Sequence, residues 1–232
     1  YALCSGDSAY PSFYDDERRI LRDALSIDFS QGVFGPSEFF YPATGSYVYR
    51  IVLELCESFN IVAPLGLVRE ARVTPDSLRR VYLVGRITFF VFSMLLIVAT
   101  AHAARRMFGP AEGLLSAALA AVLPATVLSG RVIRFHAPAA FFLVLVVYLS
   151  WRAMKDDKEE TYMTAGTFIG LGASTLYVNF AGFVLPYAAK LFNDRPANVK
   201  AALRRVSDSK LIKGYATALG VFALFSTFLF VN

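Results

Sequence analysis

The sequence predicts an all-α polytopic membrane protein: a transmembrane helix bundle behind a long polar loop that carries short juxtamembrane helices. Three observations carry that prediction. Apolar residues make up 56% of the chain and its mean hydropathy is positive. Several apolar runs approach the ~20 residues needed to cross about 30 Å of hydrocarbon. Polar connections containing Lys and Arg separate those runs, and they account for much of the net charge of +5. The reading divides the chain into a loop over residues 1–80 and a module of about six spans over residues 81–232. The chain opens on Tyr1 and closes in an apolar run at Phe230-Val-Asn232, so it is expected to be part of a longer protein, cut at both ends.

Within the loop, Asp15, Asp16 and Glu17 open an amphipathic helix expected to reach about Ile27, with Ile20, Leu21, Ala24 and Leu25 on one apolar stripe. Gln31-Gly-Val-Phe-Gly-Pro36 ends that segment with glycines and a proline. From Ser46 to Phe59 the spacing is helical again. Tyr47, Val48, Ile51, Val52, Leu55 and Phe59 share a face opposite Arg50, Glu54, Glu57 and Ser58. This segment is too short and charged to span, and suits the membrane interface or a partner helix. Pro64 and Pro75 bracket a short connection, and Thr74 or Asp76 is placed to cap the next helix. Cys4 and Cys56 permit one disulfide, but nothing in the sequence brings them together, and free thiols are the expectation.

The first span is expected from Val81 to Ala101, with Arg86 in its first turns, where it can snorkel or face a polar cavity. Arg105-Arg106 closes it. A second span runs from Gly113 to Leu128 with Pro124 near its end, and Ser129–His136 is a loop. The third starts at Pro138 and ends at the interfacial aromatics Tyr148 and Trp151. After a charged hairpin at 155–160, a fourth span covers Tyr162 to Tyr177, a shorter fifth Phe180 to Phe192, and the last begins near Gly214. Gly166-Thr-Phe-Ile-Gly170 has the spacing of close helix packing. The Lys and Arg of the 105–106, 155–160 and 195–213 connections place those segments in the cytoplasm, and put the 1–80 and 129–136 loops together on the extracytoplasmic side.

That side collects the candidate chemistry: carboxylates at Asp15, Asp16 and Glu17, guanidinium groups at Arg131 and Arg134, and the imidazole of His136. A carboxylate beside two arginines suits transfer of a group away from a phosphate. The acid takes a proton from an acceptor hydroxyl, and the arginines hold the departing phosphate. The plainer alternatives are an acidic helix start that opposes the macrodipole and arginines that snorkel to lipid headgroups. One histidine without a second nearby ligand is a weak metal signal. No cofactor is certain, and ligand spacing gives a divalent metal no support. His102, beside two arginines at a helix end, reads as structural. A transporter would need ionisable residues near mid-bilayer, where these spans have almost none.

The order of motifs resembles a known family. Phe13-Tyr-Asp-Asp-Glu17 with Ala24, then Gly32, Pro36, Phe39-Phe-Tyr-Pro42 and Tyr47, is similar to the first outer loop of the GT-C membrane glycosyltransferases. The nearest likeness is to the branch with protein O-mannosyltransferases and lipid A aminoarabinose transferases. Arg105-Arg-Met-Phe-Gly109, Arg131 and Arg134 before Phe141-Phe142, and Gly170-Leu-Gly172 through Pro186 follow in the family's order. The resemblance implies a GT-C bundle and an inverting transferase. Its donor would be a polyprenyl- or dolichyl-phosphate-linked sugar, and its acceptor a hydroxyl on a protein, glycan or lipid at the extracytoplasmic face of the plasma membrane or an ER-equivalent membrane. Membrane lipids are expected partners and nucleic acid is not.

The family's Asp-Glu pair falls on Asp16 and Glu17, with Asp16 as general base. Arg131, Arg134 and His136 fall to the donor phosphate. Asp15 and Tyr41 belong to the acceptor-loop platform, which residues 39–42 and the helix from Ser46 to Phe59 would build. Asp15 stands where relatives carry proline, His136 where they carry an acid, and Leu176-Tyr177 where they often have Lys-Tyr. The last two departures favour the alternative, a non-catalytic GT-C-like membrane subunit or lipid-binding scaffold.

Overall fold

The computed structural model describes residues 15–36, 42–194 and 205–226, and its described elements are helical, with one isolated β-bridge between Asp28 and Val33. Helix α1 spans Asp15–Ser26, α2 Thr44–Ser58 and α3 Leu65–Arg69. They pack as a cap on the first third of α4, Pro75–Met107. α1 buries Ile20, Leu21, Ala24 and Leu25, the stripe its spacing predicts. α4 starts where Thr74 accepts a hydrogen bond from the Ser77 N–H at 3.3 Å, with Pro75 at its first position.

α2 leaves exposed the apolar face that suits the membrane interface and adds an inward face that its spacing does not mark. Ile51, Leu55 and Phe59 are exposed, while Tyr49 and Leu53 enter the core. The tyrosine goes in because its hydroxyl finds a partner, donating to the Val81 carbonyl at 2.9 Å. The exposed apolar face of α2 is then free to meet the membrane interface. α3 also lies in what reads from sequence as plain connection.

α4 and the helix His136–Asp156 (α7) run side by side in the same direction: Phe89 meets Phe135, Phe92 meets Phe141, and His102 meets Tyr148. Between them in sequence, α5 (Pro110–Val122) and α6 (Pro124–Arg131) return the chain, bent by 56° at the Leu123–Pro124 step. Proline lacks an N–H and forces the preceding residue to extended geometry, which breaks the ladder there. The expected single span over 113–128 is thus a broken one, and α6 carries Arg131 inside its last turn rather than in a loop. α4 and α7 are long and apolar enough to cross a bilayer, and the bent pair makes a third candidate among the described residues.

α8 (Glu159–Ala173) leads back beside α7, and its far end bonds to α2: the Thr44 hydroxyl and N–H donate to the Ser174 hydroxyl and carbonyl at 2.8 and 3.1 Å. A 3₁₀ segment (Tyr177–Phe183) and α9 (Val184–Asp194) follow, where one fifth span is expected from sequence. α10, Ser209–Phe225, begins five residues before the expected Gly214. α8 and α10 touch backbone to backbone. A Cβ on Gly166 would overlap the Gly214 carbonyl, and one on Gly170 would lie 2.5 Å from the Ala218 carbonyl oxygen. The small-residue spacing of α8 serves this contact.

At the start of α8 a charged clasp joins three elements. Lys210 donates to the Asp157 carboxylate at 2.6 Å, and buried Lys190 meets Asp157 at 3.0 Å and Asp208 at 3.5 Å. Burial raises the Asp157 carboxyl, but the bonds and charges of Lys210 and Lys190 outweigh it and hold the group below its ordinary 3.8.

Two outcomes test this packing. Gly166→Leu should force α8 and α10 apart and destabilise by about 1–3 kcal/mol or more, read as a lower thermal midpoint in detergent. Because the folded Asp157 pKa is depressed, its contribution is complete above the unfolded value and fades as pH falls through the folded one. Asp157→Asn should therefore lower the midpoint at pH 7, with the gap from wild type closing below about pH 4.

Candidate active site

Three consecutive acids at the start of α1 reach three environments, because each helical residue turns about 100° from the last. Asp15 is exposed, Asp16 half-buried, and Glu17 fully buried at 0%. A buried carboxylate requires a close cationic partner and further hydrogen bonds. Glu17 has both. Arg86 of α4 donates through Nε to Oε1 at 3.1 Å and through Nη2 to Oε2 at 3.0 Å, and the Ile133 N–H donates to Oε1 at 3.1 Å. The guanidinium fork matches the carboxylate plane, a geometry lysine does not reproduce.

The Ile133 bond fixes the short connection between α6 and α7. Ile133 and Phe135 are buried, at 0% and 1%, and the intervening Arg134 turns to the other side. There Arg134 Nη2 lies 3.0 Å from Asp16 Oδ2, with the two side chains 36% and 28% exposed. Glu17 thus anchors the backbone that presents Arg134 to Asp16. The two ion pairs differ in kind: one is buried and bidentate, and the other is partly open to water.

The remaining candidates take no part in these two ion pairs. Arg131 is exposed in the last turn of α6 and His136 is exposed at the first position of α7. Neither side chain makes a hydrogen bond or ion pair among the described residues. Asp15 faces solvent at the helix start. Tyr41 and its neighbours Phe39 and Phe40 lie outside the described residues, as does Cys4, while Cys56 is a free thiol. Leu176 is half-buried, and Tyr177 opens the 3₁₀ segment at 38% exposure. Among the described residues no three His, Cys, Asp or Glu side chains are grouped to hold a metal ion.

Sequence reasoning left Arg86 without a partner. The available signal was its position: an arginine inside an apolar span is expensive unless something neutralises it. What the sequence did not show was which of three adjacent acids turns inward. The geometry encloses Glu17 between Arg86 and Ile133 and leaves Asp16 half-buried against Arg134.

The fold, together with these charged groups at one end of an apolar bundle, defines a polytopic all-α membrane protein of the GT-C type. Residues 79–230 match the family model described as dolichyl-phosphate-mannose-protein mannosyltransferase, and the chain belongs to that family of membrane glycosyltransferases. The matched region contains Arg86, Arg131, Arg134 and His136. Asp16 and Glu17 precede it and reach it through their ion pairs. Comparison with curated proteins and with solved structures returned no match.

Glu17→Gln or Arg86→Met strands a charge in a largely dry site and should cost about 3–5 kcal/mol. Thermal unfolding of each variant and of the double replacement measures it. The double variant should be more stable than the sum of the singles predicts, because it leaves no lone buried ion.

Proposed function

We infer that the protein transfers a sugar from a polyprenyl- or dolichyl-phosphate carrier to an acceptor hydroxyl at the extracytoplasmic membrane surface, with inversion at the anomeric carbon. The observation that carries this reading is the water-accessible pair of Asp16 and Arg134, 3.0 Å apart, beside a second exposed arginine, Arg131. A monodentate ion pair that water reaches is held less tightly than the buried, bidentate Glu17–Arg86 pair. Its partners can therefore be exchanged for substrate groups at small cost.

In the proposed step, a lipid-phosphate sugar enters with its phosphate toward Arg134 and Arg131. Arg134 swings from the Asp16 carboxylate to the phosphate, which frees the carboxylate to accept a hydrogen bond from the acceptor hydroxyl. The acceptor oxygen attacks the anomeric carbon from the face opposite the phosphate. Its proton passes to Asp16, the new glycosidic C–O bond forms, and the bond from carbon to the phosphate oxygen breaks. The electron pair of the broken bond stays on the lipid phosphate, where the arginines stabilise the added charge. His136, exposed at the first position of α7 two residues after Arg134, is assigned to the phosphate side with Arg131. Glu17 does not enter the step: it holds α1 and the 132–135 connection at the spacing the reaction needs.

The Lys and Arg of the 105–106 and 155–160 connections support the assigned face, since positive charge near span ends concentrates on the cytoplasmic side. The family match supports a glycosyl donor of this kind.

The deciding variant is Asp16→Asn, made in the intact protein and assayed with a dolichyl-phosphate sugar. Loss of a general base should lower turnover by ~10²–10⁴ while donor binding persists. Arg134→Met should weaken donor binding as well as turnover. Near-wild-type turnover by Asp16→Asn would overturn the base assignment, whereas no turnover by wild type with dolichyl- or polyprenyl-phosphate sugars would leave the fold serving a non-catalytic subunit.

A further inference from the structure

The far end of α4 carries a second assembly that the transfer step does not use. Residues 87–104 contain no Asp, Glu, Lys or Arg, so Arg86 and Arg105 stand about 28 Å apart along the helix. That is close to the ~30 Å of a hydrocarbon core, and it sets Arg105 at the membrane boundary opposite Asp16.

Two clefts flank α4 at this boundary. One, of about 440 Å³, lies between α4 and α5 and is lined by Val98, Ala101, His102, Arg105 and Leu114. The other, of about 250 Å³, lies between α4 and α7 and is lined by Leu95, Phe141, Leu145 and Tyr148. Val98 and His102 line both, so the clefts pass on either side of one ridge. The His102 ring meets the Tyr148 ring edge-on at 5.5 Å, Tyr148 stacks on Trp151 at 6.0 Å, and the Lys155 ammonium lies 4.1 Å over Trp151. Aromatic and basic side chains in this order suit the level of lipid headgroups.

The charge there is positive and available. Arg105 is exposed and has no ion-pair partner among the described residues. Of the acids nearby, Asp156 is engaged by Arg152 at 3.2 Å, and Glu112 sits in the first turn of α5. Lys155 adds a second cation across the aromatic row.

We propose that the paired clefts hold an anionic glycerophospholipid of the bilayer, one acyl chain on each side of Val98, with its phosphate seated on Arg105 beside His102. Two apolar clefts that share the Val98–His102 ridge, with Arg105 on the wall of the larger one, fit a two-chained lipid, whereas a single helix of a partner would fill one side of the ridge and leave the other empty. The exposed cation selects for an anionic headgroup.

The test is lipid retention by the intact protein, purified in mild detergent after exchange into mixtures of phosphatidylglycerol and phosphatidylcholine and read by native mass spectrometry. Wild type should retain phosphatidylglycerol in preference to phosphatidylcholine. Arg105→Gln should reduce phosphatidylglycerol retention roughly fivefold and leave phosphatidylcholine unchanged. Val98→Trp places its bulk at a residue already 64% exposed, and should reduce retention of both lipids by filling both clefts. Equal retention of the two lipids by wild type, or undiminished phosphatidylglycerol on either variant, overturns the proposal.

Discussion

The bidentate pair between Glu17 and Arg86 is the contact on which the end of the bundle capped by α1 and α2 depends. It joins α1 to the longest helix, and the spare lone pair of Glu17 Oε1 reaches the Ile133 N–H in the connection before α7. Three segments far apart in sequence therefore share one charge-neutral centre. Around it lies the largest core cluster, built from Ile20, Leu21, Tyr49, Leu53, Tyr82, Phe89 and Phe135 among others. That shell excludes water and strengthens the pair electrostatically. The apolar shell and the ion pair are mutually dependent: without the shell the pair would be an ordinary solvated contact, and without the pair the shell would enclose a lone charge.

The two ends of the bundle are stabilised by different means. At the end capped by α1, α2 and α3 a polar centre is buried under short helices. At the opposite end, the Asp157 clasp binds the α7–α8 hairpin to α9 and α10, with Asp157 and Lys210 partly in water over a buried Lys190. Between them, α8 and α10 rely on backbone proximity at Gly166, Gly214 and Ala218. This distribution follows from the solvent at each level. Hydrocarbon gives no hydrophobic drive for helix association, so small residues and tight contact must serve there, while ionic contacts hold where water or headgroups can solvate their rims.

Much of this was legible in the sequence. α1 and its stripe, the Thr74 cap, the close-packing spacing of α8 and the long apolar runs of α4 and α7 all follow from local periodicity and punctuation. What local pattern could not supply was the partner of each element. The periodicity of α2 marks an amphipathic helix correctly, yet which face turns inward was decided by the tyrosine hydroxyl that reaches Val81. Pro124 announces a break, but the 56° bend depends on how α6 packs, with Gly130 near Ser93 and Phe90 of α4. The Asp16–Arg134 and Glu17–Arg86 contacts span more than sixty residues of sequence each, a separation at which spacing arguments carry no information. Arg86 was visible as a costly residue awaiting a partner, and the identity of that partner came from the fold.

The adjacency of the two acids has a consequence for how such a motif can vary. Asp16 and Glu17 differ by one methylene, and the longer chain sits where two donors from separate segments must be reached at once. The shorter one sits beside water, where a compact, stiffly mounted carboxylate keeps its oxygens near the helix. Exchanging their order would leave composition, net charge and helix propensity almost untouched, yet it would shorten the tether where reach is needed and lengthen it where reach is unwanted. The dipeptide therefore has a direction, like a key cut differently on its two sides. A substitution scale that treats aspartate and glutamate as near synonyms would be blind to it.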